Sequence, residues 1–317
     1  MEIGLAITGG VESLAEVNLA ALAQNGVNSL LIGCYEDELR WEAERMASFV
    51  RDARRQDLAC YAIPWGYGRL LDPDPSIPSL YVHTWPQTLQ IDNRGRRCPK
   101  ACPNDPRFLE WFASSMRTLA WLLEVNGFVW DEPSFHYSRG IWSCRCPYCQ
   151  RLFRGSYDAD LPKRLTPEVL QFRRQSLAMF LLAARAAIQA VDRRLRSIVM
   201  PPPLAAPNSR HTGADDWRLL ADRAAVDAVS LLIVGEDSPP DSSELARSTD
   251  VASAVAAEGK QLWVWVATDL DSEPSVRQCR HWGIGLGAQQ LVVADYHSLV
   301  ERHGLAGLTQ LLMQLSR

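Results

Sequence analysis

Eight short apolar runs recur along the chain, and most of them are separated by polar segments with helical periodicity. Each run has the length of a strand, and few of them alternate between apolar and polar residues, which is typical of parallel strands covered on both faces. In order, the runs are "EIGLAIT", "VNSLLIGCYE", "LACYAIPWG", "GFVW", "LRSIVM", "VDAVSLLIVG", "QLWVWVA" and "QQLVVAD".

The segments between the runs predict amphipathic helices over residues 11–26, 37–57, 106–126, about 166–194 and roughly 242–258, and a last short helix closes the chain. Eight strands that alternate with helices predict a parallel (β/α)₈ TIM barrel. No low-complexity linker divides the sequence, so we expect residues 1–317 to form a single domain. A doubly wound sheet is the alternative, but the strand number and a single long insertion favour the barrel.

The alternation breaks over residues 69–104, which are rich in proline. This stretch contains the short β-like pieces "LYVHTW" and "TLQID", followed by "NRG", which suits a hairpin turn. Long loops inside compact folds are usually functional or disordered. We therefore expect a loop excursion at the rim of the barrel.

Composition and charge exclude some classes of function. Hydrophobic residues make up 47% of the chain, charged residues 22%, and the net charge is −4. No basic footprint for nucleic acid is present, and no apolar run reaches the roughly 18 residues that a membrane span needs. The first residues lack the features of a signal peptide, so the expected location is the cytoplasm. The oligomeric state is not predicted.

Polar and aromatic side chains collect where the predicted strands end, which is where barrel enzymes bind their substrates. Carboxylates there can act as acid, base or nucleophile on glycosides, and aromatic faces stack on sugar rings. The predicted catalytic carboxylates are Glu132, Asp131 and Asp269, with Asp271 as the alternative to Asp269. The other strand-end acids are Glu36, Asp37, Glu236 and Asp237. The predicted substrate contacts are Trp65, Tyr67, His83, Trp85, His136, Trp265, Asp295 and Tyr296. Capping of the following helix is the commoner use of a single strand-end acid.

Three of the eight cysteines, Cys144, Cys146 and Cys149, form a C-x-C-x-x-C triplet after the fourth strand. In a reducing compartment such a cluster indicates a metal site before disulfides, and four thiolates are a common ligand set for structural zinc. The fourth ligand is expected from the preceding loop, where Cys102 and Cys98 are both candidates. Four thiolates close the coordination shell, so the zinc is predicted to pin the loops after strands three and four.

The sequence from "CPNDP" through "WDEP" to "CRCPYCQRLF" resembles the family 42 β-galactosidases and related (β/α)₈ glycoside hydrolases. In that family a cysteine of the first motif and a C-x-C-x-x-C triplet bind a structural zinc. The resemblance covers roughly residues 90–160 and implies Cys102, Cys144, Cys146 and Cys149 as the zinc ligands. It also implies Glu132 as the acid/base, because the family uses the Glu of an Asn-Glu pair that closes strand four.

Two positions depart from the family pattern. Asp131 replaces the Asn of the pair, and the strand-seven nucleophile, a Glu in the family, has only Asp269 or Asp271 as candidates. An Asp is one methylene shorter than a Glu, which widens the gap between the carboxyls and favours inversion. The alternatives are a non-catalytic carbohydrate-binding barrel and an enzyme that uses a cysteine-ligated metal.

Overall fold

The chain is described here by a computed structural model over residues 1–71, 77–203, 209–223, 226–235, 242–268 and 273–316. All eight predicted strands are present. They are Glu2–Ile7, Ser29–Tyr35, Ala59–Trp65, Gly127–Asp131, Arg196–Met200, Ala228–Gly235, Gln261–Thr268 and Gln290–Val293.

These strands form a closed parallel barrel in sequence order. The first strand pairs with the second, and it also pairs with the eighth through Glu2 opposite Gln290. A doubly wound sheet has open edges and would leave these two strands apart. The prediction of a TIM barrel is therefore confirmed.

Helices surround the barrel, and several differ from the sequence prediction. Their bounds are Leu19–Gln24, Glu38–Trp41, Ala43–Arg55, Leu80–Thr84, Pro106–Leu123, Pro147–Tyr157, Pro167–Gln189, Trp217–Arg223, Ser242–Ala257, Glu273–Gly285 and Tyr296–Ser316. The helix predicted over residues 11–26 is divided, because Asn18 accepts a hydrogen bond from the Ala21 N–H and caps a second segment. The last helix is not short: it has 21 residues, with a kink at Gly304. No helix in the described ranges is long and apolar enough to cross a membrane.

The interior of the barrel is filled by side chains that alternate along the strands. On the fourth strand, Val129 belongs to the inner cluster, whereas Phe128 and Trp130 belong to the outer layer between strands and helices. By the same alternation Asp131, the last residue of this strand, faces inward. Trp65 and Trp265 are also part of the inner cluster.

Two hairpins extend the C-terminal rim after strands three and four. The first joins Leu89–Ile91 to Arg97–Ala101, and Gly95 in the predicted "NRG" turn has a φ of +83°. The second joins Tyr137–Ser138 to Ile141–Trp142. A bridge between Asp92 and Ser143 connects the two. The predicted β-like piece "LYVHTW" is instead the helix Leu80–Thr84, capped by the Ser79 hydroxyl.

Candidate active site and metal centre

Asp131 and Glu132 stand at the C-terminal end of the fourth barrel strand, where the sequence predicted them. Asp131 is buried, and its carboxylate accepts a 2.6 Å hydrogen bond from the indole nitrogen of Trp65. Trp65 ends the third strand, so this bond joins the ends of two neighbouring strands. A buried carboxylate requires such partners, since an uncompensated charge in the interior is costly.

Glu132 lies where the backbone leaves the strand. Its φ is +40°, a left-handed value that is uncommon for a residue with a side chain. Its N–H still donates to the Met200 carbonyl at 2.7 Å, which continues the pairing with the fifth strand. The change of direction therefore occurs at Glu132, one residue before Pro133. Glu132 is half-buried. Strained backbone that the surrounding structure enforces is found disproportionately at active sites.

Aromatic side chains form one wall of the mouth. The Trp65 ring lies over Gly33, where a Cβ would stand 2.8 Å from the ring. The ring of Tyr35 is 5.8 Å from that of Trp65, and its hydroxyl donates to the Thr8 carbonyl at 2.8 Å. Trp265 is buried inside the barrel. Trp65 and Trp265 thus share the interior with Asp131, as the sequence predicted for a site in the mouth.

His136 stands in the loop that follows Glu132. Its backbone N–H donates to the Gln90 side chain at 3.0 Å, and the residue is half-buried. Burial lowers the pKa of the imidazole, and the charges of Lys100 and Arg173 lower it further. His136 is therefore held mainly in its neutral form at pH 7, in which it can accept as well as donate a hydrogen bond.

A second histidine, which the sequence pattern did not indicate, lies near this loop. His211 stacks on Tyr137 with 4.3 Å between ring centroids and 13° between planes. The Phe135 N–H donates to the Thr212 carbonyl, which connects the loop after strand four to the loop after strand five. His211 lies eleven residues beyond Met200, the last residue of the fifth strand, and the sequence around it carries no spacing signal, so only the folded chain reveals it.

Several predicted contact residues serve other parts of the fold. Asp295 accepts hydrogen bonds from the backbone N–H and hydroxyl of Thr8 and, through its other oxygen, from Ser298. Tyr296 is buried, and its hydroxyl donates to the Glu16 carbonyl at 3.2 Å. These bonds give both residues structural roles. The predicted acids Asp269, Asp271, Glu236 and Asp237 lie outside the described residues.

Three further predicted contacts are not in the barrel interior. Tyr67 is buried in the outer layer, two residues after Trp65. His83 lies exposed on the helix Leu80–Thr84, and Trp85 follows that helix with 47% of its surface exposed. Tyr67 packs in the outer layer, whereas Trp65, which donates to Asp131, packs in the inner one.

The four cysteines implied by the family resemblance come together. Cys102, Cys144, Cys146 and Cys149 are all buried, and their sulfur atoms lie within 4.8 Å of one another. Cys98 is also buried but is not part of this group. The geometry therefore selects Cys102 over Cys98 as the fourth member.

The cluster fits a zinc ion. Tetrahedral zinc with Zn–S bonds of about 2.3 Å requires sulfur atoms roughly 3.8 Å apart. The sulfur of Cys102 lies 3.5 Å from those of Cys146 and Cys149. Burial raises the pKa of the Cys102 thiol, whereas hydrogen bonds from the other three cysteines lower the pKa of Cys146. A bound cation would stabilise all four as thiolates.

A second layer of side chains surrounds the cysteines. The Asn104 amide donates to the Cys149 sulfur at 3.3 Å and to the Ser176 hydroxyl at 2.9 Å. Ser176 and Arg173 lie one turn apart on the helix Pro167–Gln189. The Arg173 guanidinium is 1% exposed and lies 5.0 Å from the Phe135 ring. This helix therefore presents both a hydrogen-bonding chain and a cation to the cluster.

Gln90 connects the two rim loops independently of the cysteines. Its amide donates to the Ala101 carbonyl at 2.9 Å, and its carbonyl oxygen accepts from the His136 N–H and the Ser143 hydroxyl. The Arg145 N–H also donates to the Ile91 carbonyl at 2.7 Å. The loops after strands three and four thus form one hydrogen-bonded unit beside Glu132.

Comparison with known proteins shows the fold. No protein family profile matches the chain, and no curated protein sequence matches it. The catalytic domain of a β-amylase from Paenibacillus polymyxa is similar with a TM-score of 0.70 and 14% identity, covering 100% of this chain and 99% of that one.

Two β-galactosidases are similar as well. The cold-adapted enzyme from Rahnella sp. R3 has a TM-score of 0.73 at 11% identity. The superposition covers 100% of this chain and 56% of that enzyme. The enzyme from Bacillus circulans sp. alkalophilus has a TM-score of 0.71 at 11% identity, with 100% and 55% covered. This chain therefore spans slightly more than half of these β-galactosidases. The predicted resemblance to β-galactosidase barrels is confirmed at the level of the fold.

Proposed function

We propose that this chain hydrolyses glycosidic bonds, with Glu132 as the general acid and base. The observation that carries the proposal is the place of Glu132, directly after the fourth strand of a closed barrel, on strained backbone beside a tryptophan-lined interior. The barrels it resembles are described as a β-amylase and β-galactosidases, which supports a carbohydrate substrate. The family resemblance supports the same role for Glu132.

The second carboxylate of the proposed mechanism is Asp269. It follows Thr268, the last residue of the seventh barrel strand, and barrel strands end at the rim that carries the site. Carboxyls about 5 Å apart give retention, and carboxyls about 6.5–9.5 Å apart leave room for water and give inversion. The shorter Asp favours inversion. Asp131, bound to Trp65, would hold that indole in place for the sugar.

We propose a structural role for zinc in the cysteine cluster. All four cysteines are buried, and four thiolates leave no open coordination position for a water or substrate. The ion would hold together the two loops that Gln90 also connects. Catalysis by a cysteine-ligated metal would require one of the four sulfurs to be absent from the shell.

A non-catalytic carbohydrate-binding barrel is the second candidate. The observation that favours it is the sequence at the end of strand seven, "VWVATDLDSE", which has no Glu at the family's nucleophile position. This candidate predicts sugar binding without turnover. A measurement of product distinguishes this candidate from the enzyme, because both would bind sugar and only the enzyme would cleave it.

The test is hydrolysis of a panel of nitrophenyl glycosides by zinc-loaded protein, with the anomer of the first product read by NMR. The proposal expects turnover of at least one glycoside and a product of inverted configuration. Turnover with retention would correct only the stereochemistry. Protein that binds a glycoside in titration but releases no nitrophenol from any member of the panel would favour the binding barrel.

A further inference from the structure

A separate pocket opens on the outer side of the barrel, at the ends of strands two and three. We call it the rim pocket and define it by Glu36, Arg40, Tyr67, Tyr81, Trp85 and Trp111. Its volume is about 290 Å³, at the lower end of the range for small-molecule sites. Tyr67 belongs to the outer layer and Trp65 to the inner one, so the barrel wall separates this pocket from Asp131.

Four aromatic rings line the rim pocket. Tyr81 and Trp111 lie 4.3 Å apart with 33° between their planes, and Tyr67 lies 5.9 Å from Trp111. Trp85 keeps 47% of its surface exposed beside them. Packing of the rings on each other fixes their orientation, while one tryptophan face remains available to a ligand.

Two polar groups of the rim pocket differ in whether they have hydrogen-bond partners within the protein. Glu36 accepts from the Ser79 hydroxyl and the Tyr81 N–H, both at 2.6 Å, and so fixes the pocket wall. The Tyr67 hydroxyl is buried and has no hydrogen-bond partner within the described part of the chain. Burial raises the pKa of this hydroxyl well above its ordinary value, so it is neutral and can both donate and accept.

A cation lies at the opening. Arg40 is exposed, and its guanidinium stands 4.9 Å from the centre of the Trp41 ring, outside the pocket wall. Its five N–H donors form a fork that suits the hydroxyl or carboxylate oxygens of a ligand. The pocket therefore combines an exposed ring face and a donor group within one concave space.

We propose that the rim pocket is a second carbohydrate-binding site, which holds one pyranose ring of a glycan outside the barrel. A pyranose presents C–H faces that stack on Trp85 and equatorial hydroxyls that bond to Arg40. A protein partner would instead require a broad surface, since stable interfaces bury about 800 Å² on each side. The inference rests on the proposed function, because it takes the substrate to be a glycan.

The experiment is electrophoresis of zinc-loaded Glu132→Gln protein in native gels cast with soluble starch, galactan or mannan. Glu132→Gln should slow cleavage of the polysaccharide during the run by roughly 10² to 10⁴. We expect one polysaccharide to retard the protein, and we expect Trp85→Ala, added to this background, to weaken that retardation at least 10-fold. The matched control is Trp121→Ala, which removes a tryptophan that is 72% exposed on the same helix as Trp111 but outside the pocket.

A second variant guards against misfolding. Arg40→Gln removes only the exposed cation at the opening, so the melting temperature should stay the same while retardation falls. Equal retardation of the Trp85→Ala and Trp121→Ala proteins would contradict the assignment of the rim pocket as a carbohydrate site. The absence of retardation by all three polysaccharides would contradict it as well. Wild-type protein that is retarded but cleaves no glycoside would contradict the proposed glycosidase activity and still support the rim pocket as a carbohydrate site.

Discussion

At the scale of single residues, Arg173 has the most unusual environment near the metal site. It is fully buried, yet its Nε and Nη1 atoms have no hydrogen-bond partner among the described residues, and Nη2 reaches only the His136 carbonyl at 3.4 Å. Burial lowers the pKa of the guanidinium to about 9, while negative charge on Cys144 and Cys149 acts in the opposite direction. Asp215, the nearby carboxylate, is already bound by Arg174.

This environment predicts that Arg173 balances the charge of a zinc–thiolate centre. Four thiolates around one Zn²⁺ leave excess negative charge, and a buried cation beside it stabilises the complex. Arg173→Met should therefore weaken zinc binding by roughly 10- to 100-fold, the usual effect of removing a group behind the ligands. Competition with a chelator of known affinity measures this loss of zinc affinity. Arg174→Met is the matched control, and an equal loss in both variants would contradict the assignment.

The position of Glu132 could be predicted from the sequence, whereas its backbone conformation could not. Its position after the apolar run "GFVW" was enough to place it at the rim of the barrel. Its left-handed φ was not predictable, because Pro133 suggested an extended residue before it. That backbone is imposed by the fifth strand, through the bond to the Met200 carbonyl. Non-local pairing of this kind leaves no trace in the local sequence.

At the scale of elements, the hairpin turn that begins at Asp92 carries a pH-dependent part of the stability. Asp92 is 2% exposed, which alone would raise the pKa of its carboxyl. The N–H groups of Arg96 and Arg94, at 2.8 Å each, and the Arg96 guanidinium outweigh burial and lower that pKa. The ionised form of Asp92 is therefore the one that the folded hairpin favours.

The sign of the pH effect follows from this lowered pKa. The contribution is fully present above the unfolded Asp pKa of about 3.9, and it is lost as the pH falls through the lower folded pKa. Asp92→Asn should reduce the free energy of unfolding by about 1.5–3 kcal/mol at pH 7. Urea denaturation with chelator present should show this difference shrinking below about pH 4. Asp52→Asn, at an exposed helix position, is the control and should change little.

The pair of rim loops gives the prediction for metal removal. Chelation should lower the melting temperature by more than about 5 °C, because the ion joins two loops that bury little apolar surface of their own. Cys102→Ser should reproduce this loss and no longer respond to chelator. Cys98→Ser should keep its zinc, since Cys98 lies outside the group of four. Apo protein that keeps its melting temperature but loses all activity would show that the metal is catalytic.

The elements that the sequence predicted well are those whose packing is uniform. All eight strands were found because each reads as an apolar run, and the described side chains of each strand are mostly buried. The prediction of a β-like piece at the helix Leu80–Thr84 was wrong, since its first turn is held by the Ser79 cap and by Glu36, which follows the second strand. Contacts supplied by distant residues decide short elements, and composition cannot show them.

At the scale of the whole molecule, closure of the barrel decides which predicted residues share a site. It brings Trp65 to Asp131, 66 positions apart, and the loops on two of its strands bring Cys102 to the cysteine triplet. It also places Tyr67 in the outer layer and Trp65 in the inner one, although Trp65 ends the third strand and Tyr67 follows it by two residues. The sequence predicted a single aromatic mouth, and the fold divides it into the interior and the rim pocket.

Closure of the barrel sets Glu132 at the mouth, where it is proposed to protonate the leaving group of a glycoside. The most direct measurement compares wild-type and Glu132→Gln protein on two glycosides of one sugar, one with a poor alkyl leaving group and one with a good aryl leaving group. General acid assistance contributes roughly 10² to 10⁴ in rate, so kcat/KM for the alkyl glycoside should fall by about that factor. The aryl glycoside, whose departure needs little protonation, should lose far less, and zinc content should not change. Equal activity of the variant and the wild type on both glycosides would contradict the account.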